Sequence, residues 1–95
     1  MFASVIEFQM LPGKMEDAAE FAGSLRSQLE QLDGLKQFIT IDRGNDKTLT
    51  LVIYESQAQW EAAGPKAQEI LGKMAELVAA PPNREGCEVT VNEVF

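Results

Sequence analysis

The chain is 95 residues long and 45% hydrophobic, with 15 acidic residues against 8 basic ones for a formal net charge of −7. That length fits one domain spanning residues 1–95, and the charge, with its few basic residues scattered, argues against nucleic acid and anionic membranes as partners. One cysteine and no histidine exclude an internal disulfide, Ser/His and Cys/His catalysis, and a Cys/His zinc site within one chain.

No apolar run is long enough to span a bilayer. The N-terminal apolar stretch lacks the basic residues of a signal peptide, so a cytoplasmic location is expected.

Residues 1–11 are predicted to form the first strand. Phe2, Ser4, Ile6, Phe8 and Met10 share one face; Ala3, Val5, Glu7 and Gln9 make the other, more polar one. Pro12-Gly13 turns the chain. A helix is then predicted from about Lys14 to Leu32, with Met15, Ala18, Ala19, Phe21, Ala22, Leu25, Leu29 and Leu32 on its apolar stripe. Asp33-Gly34 stops it, Gly34 being suited to a left-handed residue after the helix.

Leu35 to Arg43 is predicted as the second strand, and Gly44-Asn45-Asp46 as a hairpin turn. The third strand follows from Thr48 to Tyr54 and is the strongest strand signal in the chain. It places Leu49, Leu51 and Ile53 on one face and Val52 and Tyr54 on the other, beside Thr48 and Thr50. Apolar residues on both faces predict cover on both.

Ser56 caps a short helix, with Gln59 in the capping-box position, and Gly64-Pro65 breaks it. A further helix is predicted from Pro65 to Pro81-Pro82, carrying Ala67, Ile70, Leu71, Met74, Leu77 and Val78 on one stripe. Asn83 to Gly86 is expected as a polar loop and Cys87 to Phe95 as the last strand. The order β-α-β-β-α-β predicts an α+β, ferredoxin-like domain: a four-stranded antiparallel sheet with both helices on one face. The bare face would expose Leu49, Leu51 and Ile53, and a homodimer packed sheet against sheet is the simplest way to cover them.

This order, together with Leu11-Pro12-Gly13-Lys14, Gly34-Leu35 leading to Phe38, and Val52-Ile53-Tyr54-Glu55-Ser56 followed by Trp60, resembles the antibiotic biosynthesis monooxygenase family of the dimeric α/β-barrel superfamily. The resemblance covers essentially the whole chain. It implies a homodimer with a ligand cavity in each subunit between sheet and helices. Some members of that family oxidise aromatic phenols or quinols with molecular oxygen and no metal or flavin, and others degrade haem. Haem-degrading members use a histidine on the second helix, which this chain lacks. Their pocket tryptophan corresponds to Tyr54, and their pocket asparagine to Ile6.

Tyr54 is the leading candidate for a ligand contact, its phenol standing at the strand end; the alternative is an amphipathic core residue. Trp60 is placed to wall or gate the cavity, or simply to pack. Ser4, Ile6, Phe8 and Val52 complete the candidate pocket, with Thr50 and Asn92 as further inward polar groups. Arg43, at the end of the second strand, is placed to steer an anionic ligand, with pairing to Asp42 or Asp46 in the turn, or plain solvation, as the expected alternatives. Glu7, mid-strand among apolar neighbours, is a candidate base if buried at an interface and otherwise a pairing residue. Cys87 reads as a small, partly buried core residue.

No cofactor is expected. Two functions stay open: a cofactor-independent monooxygenase acting on a small aromatic or quinol, and a dimeric ligand-binding or accessory protein without turnover.

Overall fold

The computed structural model describes residues 1–95. Its elements are β1 (Phe2–Gln9), α1 (Met15–Gly23), α2 (Arg26–Leu29), β2 (Leu35–Gly44), β3 (Lys47–Tyr54), α3 (Gln57–Ala62), α4 (Gly64–Gly72) and β4 (Asn83–Glu88). The strands form one antiparallel sheet in the order β2-β3-β1-β4. This is the ferredoxin-like arrangement that the element order predicts. No helix is long and apolar enough to cross a membrane.

Alternation along β1 and β3 decides the two sides of the sheet. In β1, Ser4, Ile6, Phe8 and, just beyond it, Met10 are buried toward the helices. In β3 the same side carries Thr48, Thr50, Val52 and Tyr54, also buried. Ile6, Phe8 and Met10 pack with Ala18 of α1 and with Met74 and Val78 beyond α4. Val52 and Tyr54 pack with Ala63, joined by Leu32, Leu35, Phe38 and Trp60. Each of the larger core side chains contributes roughly 1.5–3 kcal/mol by leaving water.

The opposite side carries Val5, Leu49, Leu51, Ile53, Ile39 and Ile41, paired in rows such as Val5–Leu51–Ile39. No helix lies over them, and Ile41 is 41% exposed.

The β2–β3 hairpin turns on Asn45 and Asp46, whose φ values of 54° and 60° are those of a type I′ turn. Gly34, at φ 76°, takes the left-handed position after the helical segment. A side chain there would also run into Gln59.

The expected helix from Lys14 to Leu32 is two helices. Ser24 breaks it: its Oγ donates to Phe21 O at 2.6 Å, and its N–H is shared between Glu20 O and Phe21 O. A glycine followed by a serine that bonds its own backbone is a common cause of such a bend.

The second long helix also ends early, at Gly72 rather than Ala80. Beyond it, Leu77 and Val78 are drawn to the sheet. Val78 bridges Met10, Leu77 O accepts from Leu11 N–H at 2.9 Å, and Ala79 N–H donates to Gln9 O at 2.8 Å.

The last strand lies earlier than predicted. Asn83–Glu88, read from sequence as loop and strand start, pairs residue by residue with Glu7 to Phe2. The free edge of β1 needs a partner for its N–H and C=O groups, and that need outweighs the weak strand propensity of Asn-Arg-Glu-Gly. The register ends at Phe2–Glu88, followed by one more bond, Val89 N–H to Met1 O at 3.1 Å, where the chain itself begins. Residues 89–95 therefore lie outside the sheet, with Val91, Val94 and Phe95 exposed. Asn92 does not point inward; its amide lies 3.1 Å from Met1 Sδ in an exposed contact. Cys87 pairs opposite Ala3 on the helix-free side, half-buried.

Ser56 caps α3 as its sequence suggests, its Oγ accepting from Gln59 N–H at 3.3 Å. Ser56→Ala is expected to lower the unfolding free energy by about 1 kcal/mol, read from urea denaturation. An unchanged midpoint and slope would show that the cap carries no stability.

Candidate functional site

Between the sheet and the helices lies a cavity of about 460 Å³. That is within the usual range for a small-molecule site. Its wall is mainly apolar: of 25 lining residues, 18 are hydrophobic. The floor is the helix side of the sheet, and α1, α2 and α4 supply the roof. Five of the residues singled out from sequence, Ser4, Ile6, Phe8, Val52 and Tyr54, line it together, and Thr50 lines it too.

Trp60 is placed differently. It lies at the end of the cavity, over β1 and β4, and is absent from the lining. Its ring tilts at 55° against Phe2, with centroids 5.1 Å apart. Its Nε1–H donates to Ser4 Oγ at 2.7 Å. The close approach depends on Gly86: a Cβ there would fall 2.5 Å from Trp60 Cζ2 and 2.7 Å from Phe2 Cε2.

The polar groups of the cavity are few and separated. Tyr54 is 2% exposed, and its hydroxyl has no hydrogen-bond partner in the protein. Thr50 Oγ1 donates to Thr40 Oγ1 at 3.4 Å. Ser4 accepts from Trp60 and its own hydroxyl proton is uncommitted. Glu16 and Asp42 line the cavity from its exposed rim. Asp42 Oδ1 accepts from Gly44 N–H at 2.8 Å, which fixes the hairpin end.

Arg84 also lines the cavity. Sequence reading assigned it to a loop and gave it no role. Once β4 begins at Asn83, Arg84 falls opposite Ile6, on the helix side. Its guanidinium carbon stands 4.4 Å from the centre of the Trp60 ring, and its Nη2 donates to Trp60 O at 2.9 Å. Double proline at Pro81-Pro82, which ends any helix and frees the next residues to pair, is the one signal in the sequence that favoured an earlier strand.

Glu7 lies on the helix-free side, its side chain 73% exposed and 3.4 Å from Arg43 Nη1. Arg43 thus pairs across the sheet with Glu7, not with Asp42 or Asp46 as expected. No group of three or more Cys, Asp or Glu side chains comes together in a way that could hold a metal ion.

Gly86→Ala is expected to push the Trp60 ring off β4 and lower stability by about 1–3 kcal/mol, the usual cost of overpacking. Trp60 is the only tryptophan, so its emission reports the displacement directly. An unchanged spectrum with unchanged stability would contradict the close packing of ring on strand.

No protein-family model matches the chain, and no curated protein matches it. Solved structures do. A protein of unknown function from Nitrosomonas europaea superposes with a TM-score of 0.81 at 18% identity, over 99% of this chain and 93% of that one. A second protein from that organism, provisionally named an antibiotic biosynthesis monooxygenase, gives 0.78 at 14% identity, over 96% of this chain and 100% of its own. A variant of MhuD with two manganese protoporphyrin IX molecules bound per active site gives 0.76 at 16% identity, over the full length of both chains. The chain therefore has the ferredoxin-like fold of proteins assigned by name to the antibiotic biosynthesis monooxygenases, the family its sequence resembles.

Proposed function

We propose that the cavity binds a small aromatic, quinol-type molecule, and that the protein is a homodimeric oxygenase acting on it without metal or organic cofactor. The observation that carries this reading is the mainly apolar cavity of about 460 Å³ lined by Tyr54, whose hydroxyl makes no hydrogen bond within the protein. Such a site suits a flat apolar body with one oxygen function. The fold shared with proteins provisionally named as monooxygenases supports the same reading.

The porphyrin bound by the MhuD variant does not carry over. This chain has no imidazole to offer a haem iron. The cavity supplies thioethers from Met10, Met15 and Met74 and one phenol, a poor match for an imidazole-ligated iron.

In the proposed reaction an aromatic alcohol such as the enol form of anthrone gives its proton to solvent at the cavity rim. The resulting anion passes four electrons in all to molecular oxygen, the two hydrogens lost by the substrate ending in the water formed. One oxygen atom enters the product as a carbonyl and the other leaves as water. The protein's part is to exclude bulk water and hold the reacting ring. Tyr54 donates its hydroxyl proton to the ligand oxygen as negative charge grows there.

A second reading, ligand binding without turnover, has one specific observation in its favour. The cavity's carboxylates, Glu16 and Asp42, stand at its exposed rim, and there is no histidine to move a proton. Oxygen uptake separates the two. With anthrone as substrate, the wild type is expected to accelerate uptake over buffer, and Tyr54→Phe to lower kcat about ten- to a hundredfold, the worth of a hydrogen bond to a developing charge. Uptake equal to buffer for both proteins would leave binding without turnover.

The dimer part of the proposal rests on Val5, Ile39, Ile41, Leu49, Leu51 and Ile53. They form a contiguous apolar surface on the side of the sheet that no helix covers, and a surface of that kind commonly marks an interface. Sedimentation is expected to give twice the 10.5 kDa chain mass for the wild type and the single chain mass for Leu51→Asp. A wild-type monomer at micromolar concentration would overturn this part.

A further inference from the structure

The cavity lining has one cationic side chain, Arg84, and no carboxylate in the protein pairs with it. Of the eight basic residues, Lys14, Arg26, Lys36, Arg43, Lys66 and Lys73 each stand within 4.0 Å of a carboxylate. Lys47, exposed to solvent, and Arg84 do not, and of the two only Arg84 lines the cavity.

A guanidinium has five N–H protons and stays charged at any ordinary pH. In Arg84 one of them meets Trp60 O. The others have no acceptor, and Nε is buried from solvent with no partner at all. That unpaired N–H costs stability and is closed to a ligand as well as to water; what a ligand can meet are the free N–H groups of the two terminal nitrogens. The Trp60 ring at 4.4 Å offsets part of that cost through its π face, but a ring face accepts no in-plane hydrogen bond from Nε.

The cavity is also polarised. Arg84 comes from β4 at one edge of the sheet, and Asp42 from β2 at the other. Three interstrand steps separate those strands, roughly 14 Å. Glu16 and Asp42 on the rim discourage a negative group at their end, and Arg84 attracts one. Ser4, held in place by the Trp60 indole at 2.7 Å, pairs on β1 with Gly86, two residues from Arg84 on the same face. Its uncommitted hydroxyl proton is a further donor in the lining, on the same face of the sheet as Arg84.

From this geometry we infer that Arg84, supported by Trp60 and Ser4, is an anchor for an anion, and that the cavity takes a flat apolar ligand bearing one carboxylate. The inference rests on the reading of the cavity as a ligand site and adds the charge of the ligand and the end at which it docks. A planar guanidinium matches a carboxylate through two parallel N–H bonds, a match that a phenolate or an alcohol cannot make. Trp60 is then a positioning residue: its ring and its carbonyl hold the guanidinium facing the cavity.

The test compares 2-naphthoate with 2-naphthamide, which has nearly the same shape and no charge, by isothermal titration calorimetry. Wild-type protein is expected to bind the acid at least tenfold more tightly than the amide. Arg84→Met is expected to lose about ten- to a hundredfold in affinity for the acid and to keep its affinity for the amide. Arg84→Lys, which keeps the charge without the fork, is expected to fall between.

Retained amide binding shows that Arg84→Met is folded. Equal affinity of the wild type for acid and amide, or a preference for the acid that survives Arg84→Met, would overturn the anchor while leaving the cavity as a ligand site. Binding of neither compound to the wild type would overturn the cavity reading and the anchor with it.

Discussion

Two helical layers cannot cover two faces of one sheet when both lie on the same side, and the whole molecule follows from that constraint. β1 and β3 sit in the middle of the sheet, and β3 is apolar on both faces. The chain order puts every helix over one face. That face becomes the core and, because its residues alternate large with small or hydroxylated, it does not close completely. Ser4, Thr48 and Thr50 stand where larger apolar side chains would fill the space. The gap they leave is the cavity. The other face keeps its leucines, isoleucines and valine without intramolecular cover, and a second subunit is the cover we propose.

The end of the cavity is built from contacts between residues distant in sequence. Trp60 leaves α3 to lie on Phe2, reach Ser4 and crowd Gly86. Arg84 then lies over the indole ring and bonds the Trp60 backbone carbonyl. Each member holds another in place. Without Gly86 the ring has no room, and without the ring the arginine has neither a platform nor an acceptor. The arrangement spends one of the chain's few basic groups on a half-buried position with no carboxylate beside it, which is why it reads as a recognition device and not as surface charge.

Much of this was legible in the sequence, for physical reasons. Alternation in residues 2–10 and 48–54 decides which side chains share a face, so the sequence alone groups Ser4, Ile6 and Phe8 on one strand and Val52 and Tyr54 on the other. Asn45-Asp46 and Ser56 announced a turn and a cap because those chemistries are local. What escaped was decided by partners far along the chain. Asn83–Glu88 has little strand propensity of its own and becomes a strand because the edge of β1 needs hydrogen bonds. That shift carried Arg84 into the cavity and carried Val91 and Asn92 out of the sheet. Leu77 and Val78 follow a helical stripe in sequence, yet they pair with Met10 and Leu11 for the same reason. Trp60 was correctly placed on a helix, but its direction depended on the absence of a side chain at Gly86.

The central claim is that the space between sheet and helices receives a small aromatic molecule. The chain's four methionines offer a direct test, because Met10, Met15 and Met74 line the cavity and Met1 does not. In protein labelled with carbon-13 at the methionine methyl groups, titration with 2-naphthol followed by nuclear magnetic resonance reports on the site itself. The account predicts ring-current shifts for Met10, Met15 and Met74 that saturate together, with Met1 unmoved. Shifts confined to Met1, or no shift at any methyl, would contradict it.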